Sequence, residues 1–86
     1  MKKIEILDGV KVVTRYFCDG EQGIQVWYFP KEITIDQANK EIYKRVGRTP
    51  DNSFHMEGTC SSYSENVKYV RRGPFLCVEE SWVHSC

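Results

Sequence analysis

Eighty-six residues make one domain with one core, and a chain this small buries only about 60 to 65% of the surface it exposes unfolded, which leaves little room for an enclosed active site. Twelve Lys and Arg balance twelve Asp and Glu, so the whole molecule lacks the long-range positive field of a typical DNA-binding protein. No stretch approaches the roughly 18 apolar residues of a membrane span, and the Lys2-Lys3 start is interrupted by Glu5 and Asp8 before a signal-peptide core can form. The expectation is one cytoplasmic domain over residues 1–86, with no membrane partner.

The chain opens with a strand signal over Lys3–Leu7, then Asp8-Gly9, then a second strand over Val10–Phe17. A two-residue Asp-Gly turn would pair Ile6 with Lys11 and Glu5 with Val12, mixing charge into both faces. A three-residue loop pairs Ile6 with Val10 and Ile4 with Val12, and collects Ile4, Ile6, Val10, Val12 and Tyr16 on one face; this is the expected register. A turn over Cys18–Gly23 leads into Ile24–Phe29, where Ile24, Val26 and Tyr28 alternate with Gln25, Trp27 and Phe29.

Thr34 to Gly47 carries helical punctuation at both ends. Thr34 with Gln37 fits a capping box, Gly47 suits the left-handed stop, and Pro50 bars continuation. Ile35, Ala38, Ile42 and Val46 recur at spacings of three or four and form one apolar stripe that needs a sheet to cover. Beyond Pro50 come strands over Phe54–Thr59, Asn66–Arg71 and Phe75–Val83, separated by a Ser-rich loop over residues 61–66 and by Arg72-Gly73-Pro74. Short separations imply antiparallel neighbours. The predicted fold is α+β: an antiparallel sheet of about five to six strands with one α-helix packed on one face, in the order βββ-α-βββ. One helix cannot cover both faces of such a sheet. Val13, Phe17, Trp27 and Phe29 share the parity opposite to the Ile-Val set, and they are the expected second-face cluster, buried by curling or exposed to a partner.

The chemistry-bearing residues do not assemble into a known reactive pattern. Cys18, Cys60, Cys77 and Cys86, with His55 and His84, lack the close spacing of zinc knuckles, and free thiols with no metal and no cofactor are expected. The sequence has no nucleophile elbow, no phosphate loop and no metal-binding helix motif, and Glu79-Glu80 on a strand point to opposite faces. A non-enzyme is expected. Arg72-Gly73-Pro74-Phe75 begins like an RNA-recognition strand, but Pro74, Leu76 and Glu79 stand where stacking aromatics belong.

The helix segment from Asp36-Gln37-Ala38 to Gly47, followed by the three strands beginning at Phe54, Asn66 and Phe75, resembles the layout of small phage-encoded inhibitors of the anti-CRISPR kind. The resemblance covers about half the chain. It implies an inhibitor or adaptor that binds protein without turnover, sterically blocking a bacterial nucleic-acid-processing complex. The residues expected at the interface are Arg71 and Arg72 at the last hairpin, with Lys68, Tyr69, Trp82, Arg45 and Arg48, because arginine and aromatics dominate binding patches. The alternative is a small nucleic-acid-binding protein using the basic helix and the Arg71-Arg72 hairpin.

Overall fold

The computed structural model describes residues 2–17, 21–56 and 62–85, with residues 53–56 and 85 in backbone only. Among the described residues the chain forms strands β1 (Lys2–Leu7), β2 (Val10–Phe17) and β3 (Gln22–Pro30), helix α1 (Ile35–Val46), then β4 (Ser53–Met56), β5 (Ser62–Arg72) and β6 (Phe75–Ser85). The strands make one antiparallel sheet in the order β1-β2-β3-β6-β5-β4. Five of them have six or more residues; β4, at one edge, has four. This is the expected α+β architecture, and no described helix is long and apolar enough to cross a membrane.

The helix is bounded as its punctuation predicts. The Thr34 side chain accepts from the Gln37 backbone N–H, the Gln37 side chain accepts from the Thr34 N–H, and Gly47 takes a left-handed φ of 74°. Of its apolar stripe, Ala38 and Ile42 are fully buried, whereas Ile35 and Val46 at the two ends are 43% and 40% exposed. The stripe is therefore one turn wide at its centre. Beneath it lie Val12, Trp27, Phe29, Leu76 and Val78, with Leu7, Val10, Ile33, Val67 and Tyr69 packed around them.

The first hairpin differs from the expected register. Leu7 pairs with Val10, Ile6 with Lys11, Glu5 with Val12 and Ile4 with Val13, so Asp8 and Gly9 alone form the turn. Both have positive φ, 48° and 81°. That geometry matches the natural twist of paired strands, and Asp-Gly adopts it readily. The charge mixing that argued against this register costs little, because Glu5 on the edge strand β1 is only half-buried and Lys11, paired to that edge from β2, is exposed. Arg45 also seals the turn, donating to the Leu7 carbonyl at 2.8 Å and the Asp8 carbonyl at 2.8 Å while contacting Glu41 at 2.9 Å.

Two further expectations are corrected. Ile4 and Ile6 lie opposite Val10, Val12 and Tyr16, and Trp27 and Phe29 face the helix with Val12, whereas Val13 and Phe17 face away. The one-residue slip in the first hairpin is enough to invert every β1 side chain. The Ser-rich segment is strand from Ser62 onward, paired to β6 on one side and β4 on the other; polar residues are tolerated there because this end of the sheet extends past the helix. Residues 18–20 of the second turn and 57–59 of the fourth strand lie outside the described residues, as do Cys18, Cys60 and Cys86.

Ile42→Ala is expected to cost about 2 to 5 kcal/mol through the cavity it leaves, and Thr34→Ala about 1 kcal/mol through the lost cap. Denaturant midpoints of the two variants check this. An unchanged midpoint for Ile42→Ala would show that the helix does not cover the sheet.

Candidate interaction surface

Alternation along paired strands divides the sheet into two faces. The helix lies on one. It is about 18 Å long, against roughly 36 Å for the eleven-residue strands β5 and β6, so it covers one half of its own face and nothing of the other.

On the uncovered face, cross-strand rows run Ile4–Val13–Val26–Glu79–Lys68, Ile6–Lys11–Tyr28–Cys77–Val70 and Lys2–Arg15–Ile24–Ser81–Asn66. Phe17, Phe75, Arg72 and Val83 border these rows. Ile4 is 57% exposed and Ile6 65%, and Phe17, Phe75 and Val83 are also open to solvent. Most large apolar side chains left in water among the described residues are thus on this one face, the others being Ile35, Tyr43 and Val46 on the helix. Exposed apolar side chains concentrated on one face mark partner surfaces on small proteins. At its centre a shallow trough of about 200 Å³ is lined by Val13, Arg15, Ile24, Val26, Tyr28, Arg72 and Glu79.

Charge on this face is one-sided. Among the described residues, Lys2, Lys11, Arg15, Lys68 and Arg72 stand against a single carboxylate, Glu79, which Arg72 contacts at 3.1 Å. Lys11 Nζ lies 5.4 Å from the Tyr28 ring centroid, and Phe75 meets the same ring edge-on at 5.5 Å. Cys77 sits in the floor, 2% exposed. Burial pushes its thiol pKa up, with Arg72 opposing, so the group remains a neutral thiol.

The residues expected at the interface do not form one surface. Arg72 and Lys68 belong to the uncovered face. Arg71 points the other way, donating to the carbonyls of Lys31 and Ile33 and so tying the β3–α1 connection to the last hairpin. Tyr69 donates from its hydroxyl to Asn39 at 2.9 Å beneath the helix. Arg45 has a side chain only 9% exposed and is committed to the first turn. Arg48 pairs with Glu80, whose hydrogen bond holds the guanidinium charged and raises its pKa further. Trp82 packs over Gly23, where an added Cβ would collide with the indole, and meets Tyr16 edge-on at 5.9 Å. Strand parity, visible in the sequence, separates Arg71 from Arg72. Missing was the correct side for Ile4 and Ile6, which the turn geometry decides.

Arg48 and Trp82 do meet in a second cleft, of about 220 Å³, with Gln25, Asp51, Tyr63, Glu65 and Glu80, at the half of the helix face the helix leaves open. Its polar groups are used internally: Glu80 accepts from Trp27 Nε1 at 2.8 Å, and Glu65 accepts from the Tyr63 hydroxyl at 2.7 Å. No buried side-chain polar atom among the described residues lacks a partner. The described residues also hold no cluster of three or more metal-ligating side chains. His84 is on this side of the sheet, while the His55 side chain and three of the four cysteines lie outside the described residues.

Compared with known protein families, curated proteins and solved structures, the chain matches none.

Cys77 in the folded protein is expected to react with iodoacetamide at least about tenfold more slowly than in the unfolded chain, because both access and thiolate fraction are reduced. Peptide mapping of alkylation with and without denaturant checks this.

Proposed function

We propose that this chain is a non-enzymatic protein-binding module, an inhibitor or adaptor acting in the cytoplasm, and that it works through the uncovered face of its sheet. The carrying observation is the exposure of Ile4, Ile6, Phe17, Phe75 and Val83 on one side of a sheet whose other side holds the core. Leaving that much apolar surface in water is unfavourable by about 25 cal/mol per Å², and a docked partner recovers it. The trough is shallow and lined by side chains with no nucleophile–base pairing, which suits surface recognition over turnover. In its specific form the proposal follows the resemblance to small phage-encoded inhibitors: the occupant is part of a nucleic-acid-processing complex, and occupation alone blocks it.

The interface moves, on this reading, from the Arg71 side of the last hairpin to the side that Arg72 and Lys68 share with β1 and β2. Ile4→Ser with Ile6→Ser removes apolar area at two strongly exposed edge positions and is expected to leave the denaturation midpoint within about 0.5 kcal/mol of wild type. The same variant is expected to weaken partner capture from a bacterial lysate by at least about tenfold, or 1.4 kcal/mol. Capture equal to wild type would remove the uncovered face from consideration.

A further inference from the structure

Zero net charge conceals a segregation. Among the described residues the uncovered face carries Lys2, Lys11, Arg15, Lys68 and Arg72 against Glu79 alone, while the other described carboxylates lie on the helix side and in the turns. Glu79 is neutralised by Arg72 at 3.1 Å, and among the described residues no further carboxylate on this face is left to answer Lys2, Lys11, Arg15 and Lys68. Lys11, Arg15 and Lys68 are all exposed and alternate with the exposed Ile4 and Ile6 and the half-buried Val26, so charge and apolar area interleave across the same patch.

We infer that the occupant of this face is a protein surface of the opposite composition, with Asp and Glu interspersed among apolar side chains. The inference rests on the protein-binding reading and adds the partner's chemistry. Three classes of occupant compete, and the residues distinguish them. A second copy docking face to face would bring two basic patches together, which like-charge repulsion opposes. Single-stranded nucleic acid would use free aromatic faces as stacking platforms. Here Tyr28 and Phe75 are engaged with each other and Tyr28 with Lys11, Phe17 at the end of β2 offers one half-exposed ring rather than a row of platforms, and the most exposed apolar groups are the isoleucines, which cannot stack on a base. An acidic, apolar protein surface satisfies both components at once: its carboxylates pair with the lysines and arginines, and its apolar side chains cover Ile4, Ile6 and Val26. Arg15 and Arg72, flanking the trough, have the planar fork that binds a carboxylate in two places.

The test uses fluorescein-labelled random copolymers of glutamate with tyrosine and of lysine with tyrosine, and a labelled oligothymidine, each titrated with the folded protein and followed by polarisation. Wild type is expected to bind the glutamate copolymer at least about tenfold more tightly than the lysine copolymer. Raising salt from about 50 to about 300 mM should weaken that binding, since exposed pairs are screened. Lys11→Glu with Arg15→Glu, both at exposed positions, should reduce it at least about tenfold, while Lys40→Glu with Lys44→Glu on the helix should leave it unchanged. Circular dichroism of each variant confirms the fold. Equal binding of the two copolymers, lost in Ile4→Ser with Ile6→Ser, would overturn the acidic occupant and leave the face as an apolar docking surface. Tighter binding of the oligothymidine than of the glutamate copolymer would overturn it in favour of nucleic acid. Failure to bind the glutamate copolymer would overturn it as well, and the lysate capture would then decide separately whether the face binds protein at all.

Discussion

The indole of Trp27 is wholly buried between helix and sheet, and its N–H is satisfied by Glu80 at 2.8 Å on the neighbouring strand. A buried donor without an acceptor costs roughly 1 to 3 kcal/mol, so Trp27 needs Glu80. Glu80, with a side chain only 12% exposed, in turn needs a countercharge, and Arg48 supplies it from the first position after the Gly47 stop. Three segments distant in sequence are locked by one chain of requirements: the middle of β3, the middle of β6 and the exit of the helix. Phe29 stacks parallel to Trp27 at 6.5 Å and extends the platform on which Ala38 and Ile42 sit. Once the helix is committed to this face, the other has nothing left in the described chain to cover it.

The basic residues divide their work along the same line. Arg45 and Arg71 are spent on backbone carbonyls, which stitches α1 to the first hairpin and the β3–α1 connection to the last one. Arg45 does so from a largely buried position, where a charged donor to a carbonyl holds a turn more firmly than an exposed ion pair does, whereas Arg71 does so at the surface. Lys2, Lys11, Arg15, Lys68 and Arg72, by contrast, stand over an apolar surface. There they have two consequences at once. On the proposed reading they select for an acidic partner, and their like charge discourages the face from pairing with itself, a hazard for any small protein with isoleucines exposed on an edge strand. Lys2 and Lys3, adjacent on β1, guard that edge from either side.

The proposed binding role draws on the same division of parts. The one cysteine whose environment is described is buried and protonated, the cleft beside Trp82 uses its carboxylates to hold the fold, and the broad open face is shaped for contact. What distinguishes the face is the combination of exposed aliphatic area with unanswered positive charge.

Local chemistry by itself determined the helix: Thr34, Gln37 and Gly47 satisfy or terminate backbone groups within a few residues of themselves, so no distant contact was needed to read its bounds. Most strand positions, the antiparallel hairpins and the α+β class were legible for the same reason, since alternation and short turns are properties of neighbours in sequence, whereas the pairing of β3 with β6, which sets the strand order, joins segments too far apart to read. The assignment of faces was not. Asp8-Gly9 is compatible with two loop lengths that differ by one residue, and that residue moves Ile4 and Ile6 from core side to solvent side; the helix, which Arg45 ties to the Leu7 and Asp8 carbonyls, belongs with the tighter turn. Which aromatics were core was likewise undecidable along the chain, because Trp27 and Tyr28 are equally apolar neighbours of opposite parity. Only the tertiary structure, by giving Trp27 both a helix above it and Glu80 beside it, decided that Tyr28, Ile4, Ile6 and the basic residues around them form the face that the helix leaves uncovered.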